Sequence, residues 1–97
     1  MDDFAGRVAV VTGTTGIGRA IAVRFAEGGG QVIACGIEAA ANQELARDAA
    51  KLKLSLQVEN CDVTDPDQVR SIITRTVSQF GGLDVIVNAA AIHPFGT

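Results

Sequence analysis

The sequence predicts an α/β fold in which a four-stranded parallel sheet, ordered 3-2-1-4, carries three helices. Three observations lead there. Val8-Ala9-Val10-Val11 is an unbroken apolar run, as expected of a strand buried on both faces. It runs directly into the glycine-rich turn Thr12-Gly13-Thr14-Thr15-Gly16-Ile17-Gly18 and then a helical pattern. Strand and helix patterns then alternate to residue 88, with no linker, low-complexity stretch or internal repeat.

The elements follow in order. Strand one covers about 7–12, a helix 16–28, strand two 31–35, a helix 38–51, strand three 54–60, a helix 66–80 and strand four 84–88. Gly28-Gly29-Gly30 and Gly81-Gly82 end the first and third helices. Asp65-Pro66-Asp67-Gln68 starts the third: Asp65 caps, Pro66 suits the first helical position, and Gln68 is placed for a capping box. Val69, Ile72, Ile73, Val77 and Phe80 recur at helical spacing and form a stripe expected in the core. Leu54-Ser55-Leu56-Gln57-Val58-Glu59 alternates as an edge strand does, whereas Val85-Ile86-Val87 is apolar throughout, as in a strand with neighbours on both edges. Right-handed crossovers make such a run a parallel sheet, and the doubly wound pattern orders the strands 3-2-1-4, the first two helices on one face and the third on the other, with the crevice between strands one and four as the switch point.

Composition narrows the function classes. Ninety-seven residues, 47% hydrophobic and 20% charged, read as one globular domain spanning 1–97. No window approaches a membrane span of about 20 apolar residues, and the acidic start Met1-Asp2-Asp3-Phe4 has no signal-peptide build, so the expected location is cytoplasmic. A net charge of −3 gives no attraction to nucleic acid or anionic lipid, and neither is expected as a partner. Cys35 and Cys61 lack CxxC spacing and read as free thiols filling apolar space; no metal site is expected. His93, the only histidine, has no recognisable carboxylate or nucleophile to work with and reads as a solvated tail residue.

Three motifs in order carry a family resemblance: Thr12-Gly13…Gly16-Ile17-Gly18, Cys61-Asp62-Val63-Thr64, and Gly81-Gly82-Leu83-Asp84-Val85-Ile86-Val87-Asn88-Ala89-Ala90-Ala91. With them the chain, from Arg7 to Phe95, resembles the first part of the short-chain dehydrogenase/reductase family. The resemblance implies half of a Rossmann fold that binds NAD or NADP, or an ADP or AMP fragment of it. It implies that the turn formed by Gly13, Thr14, Thr15, Gly16, Ile17 and Gly18 holds the pyrophosphate. Asp62 would accept from the adenine amino group, the Val63 amide would face the adenine ring, and Asn88, Ala89 and Ala90 would line the crevice by the ribose and nicotinamide. For Asp62 the competing reading is a turn residue bonding its own backbone. For Asn88 it is a side chain tying neighbouring loops together.

The chain also departs from the family pattern. Only Thr14 and Thr15 separate Gly13 from Gly16, where the family usually has three residues, so the cradle is tighter and the two hydroxyls are candidate extra donors. Gly36 and Ile37 stand where an acidic residue would favour NAD and a basic one NADP, leaving the preference open; Glu38 and Arg19 are candidates for the adenosine ribose side, with a solvated helix residue the favoured reading of each. The sequence has no tyrosine, the proton donor of the family's Ser-Tyr-Lys set, so no catalytic residue is assigned and no tyrosine-dependent turnover is expected of this chain alone. Three functions compete: a nucleotide-binding module, an NAD(P)-dependent oxidoreductase completed by another chain or working by unexpected nucleotide chemistry, and a non-catalytic structural or regulatory remnant. The apolar strand 84–88 is expected to pair with its copy in a homodimer.

Overall fold

A computed structural model describes residues 3–89. Its elements are β1 (Val8–Thr12), α1 (Gly16–Glu27), β2 (Gln31–Gly36), α2 (Ala39–Lys51), β3 (Leu56–Asn60), α3 (Pro66–Phe80) and β4 (Val85–Asn88). The strands form one parallel sheet in the order β3-β2-β1-β4, as the alternating pattern predicts. In register, Val10 of β1 lies between Ile33 of β2 and Ile86 of β4. All five β1 residues are buried.

Because side chains alternate along a strand, β1 feeds two cores. Ala9 and Val11 join Val32, Ala34 and Leu56 under Ala22, Phe25 and Ala26 of α1 and Leu45 and Ala49 of α2. Val10, Ile33 and Cys35 join Cys61 and Ile72 on the α3 face. The two faces thus carry two helices and one. Since every strand points the same way, the loops leaving β1, β2, β3 and β4 gather at one end of the sheet.

Three details differ from expectation. Strand β3 starts at Leu56 rather than 54 because the Leu54 N–H turns back to the Ala49 carbonyl of α2 at 2.9 Å. Asp65 does cap α3, accepting from the Asp67 N–H at 3.0 Å, but Gln68 does not close a capping box. The Asp65 N–H is already given to the Asp62 carbonyl, so the Gln68 Oε1 accepts instead from the Asp62 N–H at 2.8 Å. The apolar surfaces of α3 and β4 are only partly covered by the described residues. On α3, Ile72 and Thr76 are buried while Val77 is 44% exposed; on β4, Val85 and Ile86 are 38% and 53% exposed.

This uneven cover predicts uneven sensitivity. Leu45→Ala, in the fully enclosed core, should cost about 2–5 kcal/mol in a denaturant titration, whereas Val77→Ala should stay within about 0.5 kcal/mol of the parent. Equal losses at both sites would mean that α3 is covered as tightly as α2.

Candidate functional site

The site begins at the turn between β1 and α1. The Gly13 N–H donates to the Cys35 carbonyl at 2.6 Å, pinning the start of the turn to β2. Gly16, with φ 53°, takes the left-handed conformation that lets so short a turn enter the helix. Gly18 sits on the turn itself: a Cβ there would lie 2.4 Å from the Gly13 oxygen and 3.2 Å from the Ala89 Cβ. Helix α1 therefore starts in close contact with the ends of both β1 and β4. Thr15 is its N-cap but makes no side-chain cap bond, and the first turn holds no acidic residue. The N–H groups of that turn have no intrahelical acceptor and concentrate partial positive charge.

A buried polar node lies behind the turn. The Thr14 hydroxyl donates to the Asn42 Oδ1 at 2.6 Å. The Asn42 Nδ2 donates to the Gly36 carbonyl at 2.9 Å and to the Asn60 Oδ1. One α2 side chain thus joins the turn after β1 to the ends of β2 and β3. The node also closes position 36 to any side chain, since a Cβ on Gly36 would lie 2.5 Å from the Thr14 Oγ1 and 3.1 Å from the Asn42 Oδ1.

In front of the turn opens a cavity of about 730 Å³. Of the residues predicted from sequence, Gly13, Thr14, Thr15, Gly16, Ile17, Gly18, Val63, Asn88 and Ala89 line it, together with Gly36, Ile37, Glu38 and Thr64. Among the described residues Glu38 is the one charged residue in that lining, and although it is the N-cap of α2 its side chain makes no cap bond. Arg19 is held elsewhere, in ion pairs with Asp48 and Glu44 of α2. Ala90 and His93 lie outside the described residues.

The two open readings from sequence acquire geometry. Asp62 is not in the cavity lining; its Oδ1 accepts from the Thr64 N–H at 2.9 Å and from the Thr64 hydroxyl at 2.5 Å, the self-bonded turn. These two bonds hold its carboxyl below the ordinary aspartate range, the hydroxyl contributing most. Asn88 combines both readings, lining the cavity while its Oδ1 accepts from the Thr12 hydroxyl at 2.9 Å. Thr14 differs from expectation: its hydroxyl is spent on Asn42, which leaves Thr15 as the threonine on the open side. Asn42 itself was not singled out by the sequence.

The Cys35 thiol is unreactive. Burial, followed by the neighbouring Cys61, pushes the Cys35 thiol up to about 12, so it stays protonated at neutral pH and is a poor nucleophile or metal ligand. Among the described residues no cluster of histidine, cysteine or carboxylate side chains could hold a metal ion.

A parallel doubly wound sheet with a glycine-rich turn at its switch point defines the half-Rossmann class. Residues 11–97 match the model of the family described as Enoyl-(Acyl carrier protein) reductase. The chain is 39% identical over 92 residues to an L-fucose dehydrogenase of Bos taurus, covering 94% of this chain and 33% of that protein. It superposes on a short chain dehydrogenase from Mycobacterium smegmatis with a TM-score of 0.80 at 34% identity, covering 91% of this chain and 38% of the other. An actinorhodin polyketide ketoreductase solved with NADPH gives a TM-score of 0.76 at 26% identity, covering 93% and 38%. The chain belongs to the short-chain dehydrogenase/reductase family and spans about a third of the length of the curated relatives it matches. No helix among the described residues is long and apolar enough to cross a membrane.

The Asp62 turn carries its own test. With a native pKa lowered below its unfolded value, Asp62 stabilises the fold at neutral pH, and that contribution disappears as pH falls through the native pKa. A carbon-detected NMR titration should find the Asp62 carboxyl titrating below the ordinary aspartate value, and Thr64→Val should raise it. An unchanged midpoint in Thr64→Val would assign the shift to another cause.

Proposed function

We propose that the chain is the adenine-dinucleotide-binding part of an NAD(P)-dependent oxidoreductase. The cavity in front of the glycine turn carries this reading, because the first turn of α1, free of acidic residues and side-chain caps, lines it and offers N–H groups to a pyrophosphate. Ile37 and the Val63-Thr64 segment would receive the adenosine, and Asn88 and Ala89 would face the nicotinamide ribose. Asp62 would meet the adenine amino group only through its second carboxylate oxygen, the first being held by Thr64. Family membership and the NADPH reported with the polyketide ketoreductase support a nicotinamide cofactor. When bound, the cofactor supplies hydride transfer. This chain's residues supply binding and orientation.

The preferred form is NAD. Position 36 admits no side chain, which leaves Glu38 to meet the adenosine ribose, where a carboxylate accepts from a 2′-hydroxyl and repels a 2′-phosphate. Arg19, already paired with α2 carboxylates, gives no counter-charge. Calorimetry should detect weak binding of ADP and NAD and weaker binding of adenosine 2′,5′-bisphosphate, with Glu38→Lys raising the bisphosphate relative to ADP about tenfold. Gly16→Val should weaken both ligands by straining a residue at φ 53°. No heat with millimolar ADP, AMP, NAD or NADP would overturn nucleotide binding and favour the structural-remnant reading.

A second reading concerns assembly. The exposed Val85 and Ile86 support the pairing of a further strand beside β4, and for the chain on its own that strand is the β4 of a second copy. Two buried free thiols support a cytoplasmic location. Sedimentation should show a dimer that Ile86→Glu converts to monomer; a parent that stays monomeric at high concentration would sink the homodimer.

A further inference from the structure

We propose that Asn42 is a positioning residue for the nucleotide site: from α2, its buried amide holds the glycine turn in the shape that receives a pyrophosphate. The proposal rests on the nucleotide-binding reading above and adds to it a residue outside the cavity lining.

With two residues between Gly13 and Gly16, the turn has little of its own to hold it. Thr14 is its one buried side chain outside the glycines, only 4% exposed, and the Thr14 hydroxyl ends on the Asn42 Oδ1. The opposite end of the amide gives one proton to the Gly36 carbonyl and the other to the Asn60 Oδ1. Both donors and the acceptor are therefore in use, which fixes how the amide faces. An amide engaged at once on the glycine turn and on the ends of two strands, at 5% exposure, is a stiff joint, because breaking any one contact strands a buried polar group.

Position separates this role from ordinary core packing. Leu45 and Ala49 of α2 belong to the apolar cluster beneath the sheet, whereas Asn42 belongs to neither apolar cluster and sits at the end of the sheet where the cavity opens. Two of its partners, Thr14 and Gly36, line that cavity. The Thr14 side chain fills the space a Cβ at position 36 would need, so the clamp and the glycine require each other. With Thr14 drawn back into the node, Thr15, Gly16 and Ile17 form the front of the turn, and Asn42 sets how far forward they stand.

Two probes divide positioning from folding: ADP, which carries a pyrophosphate, and adenosine, which carries none. Asn42→Leu should weaken ADP binding about tenfold while changing adenosine binding less than about twofold. Thr14→Val removes only the hydroxyl contact and should move ADP in the same direction, keeping the test open if Asn42→Leu does not fold. Hydrogen exchange of the Gly13 amide, the turn's N–H bonded to the Cys35 carbonyl, should quicken in both variants while exchange in the middle of β1 is unchanged. Equal loss of ADP and adenosine, or unchanged ADP binding in Thr14→Val with slow exchange in the turn, would overturn the clamp. If the parent binds neither probe, the nucleotide reading fails, and turn exchange in Thr14→Val still decides whether Asn42 holds the loop.

Discussion

Everything in this molecule hangs from β1, a five-residue strand paired on both edges and buried on both faces. A strand so placed has no solvent face on which to carry a polar group, so function has to be displaced to its end. There the apolar run stops at Thr12 and the chain turns through Gly13 into α1. Parallel pairing brings the ends of β2, β3 and β4 to the same place, which turns one short loop into a site with four contributors. The close seating of Gly18 on the Gly13 carbonyl fixes the angle at which α1 leaves. A methyl group there would push the helix off the turn that it is meant to complete.

Most of the fold was legible because its signals are local. The apolar run of β1, the glycine turn and the Asp65-Pro66 start each specify backbone conformation within a few residues, and together they gave the strand order. The errors arose where a side chain's surroundings are decided by groups other than the ones its own spacing and character suggest. Gln68 was assigned to Asp65 by spacing, but the Asp65 amide was already taken by the carbonyl of Asp62. Val85, Ile86 and Val77 were expected to be buried from their own character, yet burial depends on what stands opposite them, and the described residues place too little there.

The site divides in the same way. The glycine turn, Val63, Asn88 and Ala89 could be found from motifs and do line the cavity. Asn42 could not, because an asparagine one turn into an alanine-rich helix reads as a solvated surface residue until Thr14, 28 positions earlier, is seen to touch it. The available hint was a mismatch: a glycine ending β2 where a charged residue was looked for, with a short polar side chain in the following helix able to use the vacated space. Thr14 shows the complementary failure. Its hydroxyl was assigned forward to a phosphate by type, and the structure turns it backward to an amide.

Charge explains why the shape of the turn matters so much here. The chain carries a net −3, the described residues put one charged side chain, a carboxylate, in the cavity lining, and Arg19, next to the glycine turn in sequence, is held by two acidic residues of α2. Long-range attraction therefore cannot gather an anionic ligand, and the positive end of α1 has to act at contact distance. Oriented N–H groups lose their hold quickly as distance grows and bonds bend. A lysine on a flexible stem follows its ligand, but a backbone amide stays where the fold puts it. The buried node behind the turn and the bare glycine at its front are thus two halves of one requirement, since a site whose described lining holds no cation depends on holding its amides still.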